Sequence, residues 1–469
     1  MSSKRSNSPI TYVVGSFAVQ GIAFFATPIL TRLLTPADYG VIAVYSLWLS
    51  AFTIVIGLKT DGSIINAALE YGRDKLDGYM SSVMTISLAS FSLFLLVALI
   101  LQNQIASILN LKVVLVPILL IQSFFDFCIS LMLFKQIALK QSKLYITLSI
   151  LNSFFSIMLG IIWILCLSSN KYLGKIYGSA LVSILLGLFC VVEIYWKGRR
   201  IFNRSYCRFC LALTLPVVIH NLSMLILAQS DRYLLTKMTN DTEVGVYSFA
   251  YTLGTVVSII WSACNNSWVP FYYENTKSGN RKVVLDVYRK YTFIFCLLTI
   301  GFVFFTPELI SMMGSSAFSG AKRITPIIGV SSFFIFMYSF PVNYEFYRRK
   351  TVFISIGSAG AAAINILLNL WLIPLYGSMG TAASTLVSYM ILFVFHYLIS
   401  KVVIKDFQIP LSFLLLPVAL VFSAMGLFYL ISGWLYLRWA VILIVATTFF
   451  IYVYKNYSAL KGQLNIINN

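Results

Sequence analysis

Long apolar segments separated by short polar connections make up almost the whole chain. Each segment holds about twenty residues, which is the length that a helix needs to cross the hydrocarbon core of a bilayer. The alternating pattern of a membrane barrel is absent. Fourteen segments can be read, at residues 10–31, 40–60, 79–101, 113–134, 144–167, 174–196, 209–231, 244–269, 291–313, 324–345, 352–373, 379–400, 410–432 and 435–454. The pattern predicts an all-α polytopic membrane protein with 14 transmembrane helices.

The turn between the first two segments recurs far downstream. Thr35-Pro36-Ala37-Asp38 interrupts the apolar run, and its Pro and Asp are typical of a helix stop followed by a new helix cap. Later in the chain, Leu234-Leu235-Thr236 corresponds to Leu33-Leu34-Thr35, and Gly245 corresponds to Gly40 after a short insertion. We interpret the chain as two related halves built around these two hairpins.

The repeat predicts a domain organisation. With fourteen segments, both copies of the hairpin start on the same side of the membrane, so the halves are related by a parallel pseudo-twofold axis along the membrane normal. The prediction is a six-helix bundle over residues 1–200 and a second over 201–402, with the substrate path between them. Residues 403–469 add two transmembrane helices and a cytoplasmic tail.

Composition and charge agree with a membrane protein. Only 10% of residues are charged and 59% are hydrophobic, whereas a soluble domain is about 25% charged. The net charge of +19 could indicate a nucleic-acid partner, but the basic residues lie in short connections such as Lys4-Arg5 and Arg348-Arg349-Lys350. Such connections are typical of cytoplasmic loops that contact anionic lipids, so both termini are predicted in the cytoplasm, with no nucleic acid bound. The first segment is expected to be an uncleaved span.

Three stretches carry a resemblance to a known family. They are Pro28–Gly40, with the sequence PILTRLLTPADYG; Asp231-Arg232-Tyr233 followed by Val244-Gly245-Val246-Tyr247; and the looser match Pro307-Glu308-Leu309-Ile310. With them the chain resembles polysaccharide flippases of the Wzx type, which act on O-antigen units. These belong to the superfamily that includes multidrug and toxin extrusion transporters and the lipid II flippase. The resemblance covers the whole length.

The resemblance implies a function. The expected protein is a flippase of the bacterial inner membrane that moves an undecaprenyl-pyrophosphate-linked oligosaccharide unit from the inner to the outer leaflet by alternating access. It would be a transporter in lipopolysaccharide biosynthesis and not an enzyme. The resemblance also implies coupling to an H+ or Na+ gradient and contact with membrane lipids and polysaccharide assembly proteins. No cofactor is expected.

Four residues are candidates for binding such a substrate: Arg32, Lys59, Arg232 and Asn266. A pyrophosphate that enters a low-dielectric region requires fixed cations, and arginine binds phosphate oxygens in bidentate fashion. Lys59 lies near the inner end of the second segment, where it could capture the pyrophosphate, and Asn266 offers an amide to sugar hydroxyls. Cations at helix ends are equally typical of interfacial anchors.

Four more are candidates for ion coupling or gating: Asp61, Asp126, Asp231 and His220. Asp126 lies in mid-segment, where a carboxylate must be neutral, paired or hydrated. Asp231 could pair with Arg32 to close an outer gate, or the two could be independent interfacial charges. The lone His220 could be a pH-sensitive gate residue or form a helix–helix hydrogen bond. Asp61 stands two residues after Lys59, so on a continuous helix the two side chains would not be partners.

Two rival functions stay open. A drug or cation antiporter of the same superfamily would share the fold but would favour acidic residues along its path. A multi-span polysaccharide polymerase or acyltransferase requires a cluster of titratable groups at one surface, whereas Glu308 and Glu345 lie near segment ends where solvation is cheap, and His396 lies among aromatic residues far from His220. No metal site is predicted, because the one Cys-x-x-Cys pair, Cys207 and Cys210, lacks the four ligands of a zinc site.

Overall fold

The computed structural model describes residues 9–465, which form helices joined by short connections, without a strand among them. The predicted basic pair Lys4-Arg5 lies outside the described residues. The α-helices within that range are α1 Pro9–Leu33, α2 Pro36–Gly57, α3 Ile64–Glu70, α4 Leu76–Ile100, α5 Gln102–Leu109, α6 Leu115–Ala138, α7 Ser142–Cys166, α8 Tyr172–Gly198, α9 Arg204–Met238, α10 Asp241–Gly254, α11 Val256–Lys277, α12 Arg281–Met313, α13 Ala321–Tyr347, α14 Thr351–Leu398, α15 Ser412–Ile431 and α16 Leu435–Asn465. The all-α class is confirmed.

Twelve helical stretches within residues 9–465 are long and apolar enough to cross a membrane. In addition, α1 contributes a shorter apolar stretch, Ala18–Leu33. The long α14 contains two predicted segments, and its backbone leaves the helical region between them at Gly377, with φ 55° and ψ −133°. Glycine adopts such a positive φ without the steric penalty that a Cβ brings. The number fourteen remains a prediction.

The first predicted turn forms as expected. Thr35 Oγ1 accepts a hydrogen bond from the Asp38 amide at 3.1 Å, and Asp38 Oδ2 accepts one from the Thr35 amide at 3.1 Å. This is a capping box with Pro36 at the first helical position, so the sequence ends α1 and starts α2. At the start of α10, Asn240 Oδ1 accepts from the Glu243 amide at 3.0 Å. Each hairpin therefore has its own polar cap.

The chain divides into two compact units, with unit 1 ending at Gly245 and unit 2 beginning at Val246. In unit 1 the most buried of the long helices is α6, which packs against α2, α4 and α8. The hydrophobic core of unit 1 includes the side chains of Tyr79, Met84 and Phe127. Helix α9 joins this core through Tyr206 and Cys210 and packs along α2. The predicted domain boundaries at residues 200 and 402 stay predictions.

In unit 2 the most buried long helix is α13, which packs against α11, α12 and α14. Aromatic rings fill this core: Phe295 stacks on Phe336 at 4.6 Å between centroids, and Trp261 meets Phe336 edge-on at 4.7 Å. Such pairs stabilise a core beyond the area they bury. The last two helices, α15 and α16, pack on α12, where Arg438 Nη1 donates to Glu308 Oε2 at 2.7 Å.

Candidate functional site

The end of α2 brings Lys59 and Asp61 together. Leu58 and Lys59 both adopt a left-handed backbone, with φ 48° and 52°, which ends the helix before the short 3-10 turn Thr60–Ser63. Non-glycine residues rarely adopt this conformation. It turns Lys59 back, so its Nζ lies 3.1 Å from Asp61 Oδ2. The expectation that the two side chains are not partners is wrong, because it assumed a continuous helix.

The Asp61 carboxylate is fully engaged within unit 1. Besides Lys59, its Oδ2 accepts from Ser130 Oγ of α6 at 2.6 Å, and its Oδ1 accepts from the Gly62 amide at 3.0 Å. The Lys59 ammonium lies 5.7 Å from the centre of the Phe134 ring. The Asp61 side chain is 4% exposed and that of Lys59 is 26% exposed. The accessible member of the pair is therefore the cation.

A second acid–cation pair lies near the end of α9. Arg232 Nη1 is 3.6 Å from Asp231 Oδ1 and donates to the Ala228 carbonyl at 3.1 Å. Again the carboxylate is covered, at 1% exposure, and the arginine is more accessible, at 11%. On α1, Arg32 is exposed, and its Nη1 donates to the Pro28 carbonyl at 2.8 Å. The expected pairing of Arg32 with Asp231 stays a prediction.

Asp126 belongs to a polar layer inside unit 1. It is half-buried on α6, and its carboxylate has a hydrogen-bond partner in Ser183 of α8. One turn earlier on α6, Gln122 accepts from the Tyr45 hydroxyl of α2 at 2.8 Å and its amide lies 3.5 Å from Ser179 Oγ. The layer thus links α2, α6 and α8 around a half-buried carboxylate that makes no ion pair with a cation among residues 9–465.

The sequence did not reveal Ser183 as the partner of Asp126, although a pattern marks the face of α8 on which Ser183 lies. Lys175, Ser179 and Ser183 are spaced by four, so they share one face of α8. Lys175 packs closely on α7, where a Cβ at Gly160 would lie 3.0 Å from Lys175 Cδ. A search for polar residues at helical spacing would have identified this face, but not the helix that it meets.

The remaining predicted residues, His220 and Asn266, lie apart from these clusters in the contacts that the described residues make. His220 is half-buried on α9, one turn after Pro216. Asn266 is exposed on α11, while its neighbour Asn265 accepts from Asn343 Nδ2 of α13 at 2.8 Å. No contact in the described range ties either residue to a charged partner, so their roles stay predictions.

Unit 2 contains a buried acid–base pair. Glu345 and His396 are 0% and 1% exposed, and His396 Nδ1 lies 2.9 Å and 3.0 Å from the two carboxylate oxygens. The expectation that Glu345 is cheaply solvated at a segment end is wrong. The end of α13 is covered by α14 and the π-helical segment Ile399–Val403 that follows it. Helix ends that are packed in this way exclude water.

The starts of α2 and α10 meet through two glycines. A Cβ at Gly40 would overlap the carbonyl oxygen of Asp241, and a Cβ at Gly245 would overlap that of Pro36. Each Cβ would also lie 3.1 Å from the amide nitrogen of the other glycine. The contact is reciprocal, as a local twofold axis between the two helix starts would make it. The two glycines that correspond in the sequence repeat therefore pack directly against each other through their backbones.

Nearby contacts hold the end of α9 against α5 and α2. The Tyr233 hydroxyl donates to the Ile108 carbonyl at 2.9 Å, and Lys237 Nζ donates to the Ser107 carbonyl at 2.9 Å, both at the end of α5. Trp48 of α2 meets Tyr233 edge-on at 5.5 Å between centroids. Arg232 stands beside these anchors, so its position is fixed by three neighbouring contacts.

An apolar groove of about 590 Å³ runs between α1 and α7. Its wall on α1 includes Gly21, Phe25 and Ile29, and its wall on α7 includes Phe154 and Ile161. The end of the groove at Ile29 lies three residues before the exposed Arg32. An apolar groove of this kind suits the hydrocarbon part of an amphipathic molecule.

Comparison with known proteins gives one family match. The family model described as "Polysaccharide biosynthesis protein" matches residues 8–275 of the 469, which is more than half of the chain. The Haemophilus influenzae protein "Lsg locus putative protein 1" is 26% identical over 356 residues, which are 74% of this chain and 86% of that protein.

Two solved structures share the fold. The structure titled "Lipid II flippase MurJ, inward closed conformation" has a TM-score of 0.72 at 16% identity. The aligned region covers 96% of this chain and 99% of that chain. An inward-facing multidrug resistance MATE family transporter of the MOP superfamily has a TM-score of 0.63 at 15% identity, covering 84% and 99%. At such identities the likeness establishes the fold alone.

Proposed function

Because this chain belongs to the family of polysaccharide biosynthesis proteins, we propose that it is a flippase for an undecaprenyl-pyrophosphate-linked oligosaccharide unit. The unit moves from the inner to the outer leaflet of the bacterial cytoplasmic membrane by alternating access. Both termini lie in the cytoplasm, and polysaccharide assembly proteins receive the product. The proposal extends the family membership to a specific cargo and direction.

The observation that carries the choice of cargo is the sign of the accessible charge. In the Lys59–Asp61 and Arg232–Asp231 pairs, which contain the candidate residues, the carboxylate is buried and bonded, while the lysine or arginine keeps part of its surface exposed. Arg32 adds an exposed guanidinium. The buried carboxylate beside each of these two cations lowers the net positive charge of the pair. An anion can therefore bind there and then leave. This arrangement suits a pyrophosphate better than a cationic drug.

The lipid part of the cargo needs a different environment. The apolar groove between α1 and α7 offers hydrocarbon contact along its length and ends near Arg32. A polyprenyl chain in this groove would place its pyrophosphate within reach of that guanidinium. Lys59, at the other end of the first hairpin, would capture the pyrophosphate from the inner leaflet.

Arg32→Ala provides the test. We expect surface polysaccharide in a complemented deletion strain to fall about tenfold or more, because a charge-assisted hydrogen bond of about 1.5–3 kcal/mol to phosphate is lost. Arg32→Lys should recover only part of the signal, since an ammonium cannot bind two oxygens at once. Protein in the membrane fraction is measured in parallel by immunoblotting.

The matched control is Arg323→Ala, which removes another exposed arginine, at the start of α13. This variant should leave surface polysaccharide unchanged. If Arg32→Ala also gives full surface polysaccharide, a role for Arg32 in phosphate binding is contradicted.

Asp126→Asn tests ion coupling in unit 1. The half-buried carboxylate beside Ser183 is the accessible acid of the polar layer, and the amide can neither bind a proton nor attract Na+. We expect the rate of lipid transfer in vesicles to lose its dependence on an imposed ion gradient while transfer without a gradient continues. An unchanged gradient response would remove Asp126 from coupling.

The drug antiporter is the second candidate, because Asp126 is also the kind of group that would receive a cationic substrate. The two functions differ in a simple measurement. A drug antiporter would make cells more resistant to lipophilic cations, and Asp126→Asn would abolish that resistance. A polysaccharide flippase changes surface polysaccharide and leaves drug resistance constant.

A further inference from the structure

The buried pair of unit 2 consists of two titratable side chains that the proposed transport route does not use. Both oxygens of Glu345 lie at hydrogen-bond distance from His396 Nδ1. Ser400 Oγ is 3.4 Å from Glu345 Oε1 and 3.3 Å from the Pro341 carbonyl. Ionisable groups inside a membrane protein are costly and usually functional. The pair connects α13 with the last turns of α14.

The opposite side of the imidazole is closed by packing. His396 Nε2 has no hydrogen-bond partner within the described residues, and it faces Gly357, where a Cβ would lie 2.7 Å away. The ring of Tyr338 stacks on the imidazole at 6.3 Å, and Phe395 meets it edge-on at 5.3 Å. Only a glycine at position 357 leaves room for the ring.

The backbone beside the pair is unusual. The π-helical segment Ile399–Val403 begins three residues after His396 and contains Ser400. A π-helical turn is rare, and such turns lie frequently at functional sites. Its wider turn brings the Ser400 hydroxyl to the carboxylate, so the hydrogen-bond set of Glu345 depends on this local conformation.

The charged side chains near the Glu345–His396 pair contact other groups. On α13, Tyr338 is the other titratable group that faces the ring, and Arg348 lies over Tyr344 at 5.9 Å. In the π-helical segment, Lys401 Nζ donates to the Phe407 carbonyl at 3.1 Å. With one proton between the imidazole and the carboxylate, the pair carries a net negative charge. A second proton, on Nε2, makes it neutral.

We propose that Glu345 and His396 form a proton-binding site whose occupancy is linked to the packing of α13 and α14. A second proton on Nε2 meets no hydrogen-bond acceptor beside Gly357 within the described residues. The proton is held when the packing opens and offers Nε2 a partner, and it is released when the packing closes. This inference rests on the proposed function, because it names H+ as the ion that drives the lipid transfer.

Protonation can be observed directly, because the chain has only two histidines. In the full-length protein with ¹⁵N-labelled histidine, the Glu345→Gln and His396→Gln variants assign the His396 signals. Spectra are recorded from about pH 5 to about pH 8, the range in which histidine commonly acts as a switch. We expect the wild-type His396 imidazole to gain its second proton as the pH is lowered. Glu345→Gln removes the carboxylate that contacts Nδ1 and should alter this change.

Transfer is measured in proteoliposomes with fluorescent undecaprenyl pyrophosphate as the probe, with and without a pH difference of about one unit. If one proton moves per cycle, a pH difference of about one unit is expected to change lipid transfer by about tenfold. We expect His396→Gln and Glu345→Gln to lose this effect. Gly357→Ala, which retains both titratable groups but crowds Nε2, should reduce it. The matched control is Glu308→Gln, which removes a carboxylate elsewhere in unit 2 and should retain the response.

Two results would overturn the proposal: an imidazole that stays neutral throughout this pH range, or a His396→Gln protein with the wild-type response to the pH difference. If the wild-type protein moves no probe under any condition, the proposed function fails, and the NMR titration alone then decides whether the pair binds a proton. A variant that misfolds is recognised by its thermal unfolding, and Gly357→Ala then serves in its place.

Discussion

Gly40→Leu and Gly245→Leu are each expected to reduce lipid transfer by about a hundredfold. The backbones of α2 and α10 touch at these positions, so a side chain at either one forces the helix starts apart. Overpacking of this kind costs about 3 kcal/mol, and about 1.4 kcal/mol corresponds to a factor of ten. If alternating access requires this contact to form once per cycle, the closed state becomes too rare to support transfer.

The measurement is transfer of a fluorescent undecaprenyl pyrophosphate across proteoliposome membranes. Gly360→Leu is the matched control, because Gly360 is also helical but has open space around it, with nothing within 4 Å of an added Cβ. Thermal unfolding in detergent shows whether each variant folds. Folded Gly40→Leu and Gly245→Leu proteins that transfer lipid at the control's rate would show that the contact does not open and close during transport.

Lys59→Glu is expected to have an effect of similar size by a different route. It places a second carboxylate beside Asp61, whose oxygens already accept from Ser130 and Gly62. A pyrophosphate then meets two negative groups instead of one accessible ammonium, and like charges in contact cost several kcal/mol. Lys59 is about a quarter exposed, so solvent screens part of that cost. We expect at least about a hundredfold loss.

The binding step distinguishes this prediction from a structural defect. Lys59→Glu should weaken binding of undecaprenyl pyrophosphate in equilibrium measurements, and Lys59→Arg should retain most of it. Lys143→Glu, which reverses an exposed lysine at the start of α7, is the control for the change in net charge. Binding that is equally strong in Lys59→Glu and Lys143→Glu would contradict a role for Lys59 in capturing the pyrophosphate.

Local sequence was enough to predict the helices and the first hairpin. Apolar runs of membrane-spanning length leave the backbone no alternative to a helix in lipid. The cap at Thr35 and Asp38 depends on residues three apart, so it can be read directly from the sequence. The Lys59–Asp61 pair could not, because two consecutive left-handed residues oppose the local preference and are stabilised by the packing around them.

Contacts between distant segments set the limit of the sequence analysis. The repeat identified Gly40 and Gly245 as equivalents, but nothing in either hairpin indicates that the two glycines touch. Glu345 and His396 are fifty-one residues apart, and each one alone is typical of a helix end. Asp126 was recognised because a mid-segment carboxylate is rare, whereas its partner Ser183 is an ordinary residue on another helix.

The reciprocal glycine contact also bears on how the chain arose. Each glycine packs against the helix start that carries the other. A half-length ancestor that paired with itself would therefore have needed only one glycine in its sequence to form the whole junction. If the two predicted halves arose by gene duplication and fusion, that self-pairing became an intramolecular contact. Two half-length polypeptides made from separate genes would still carry everything this junction requires.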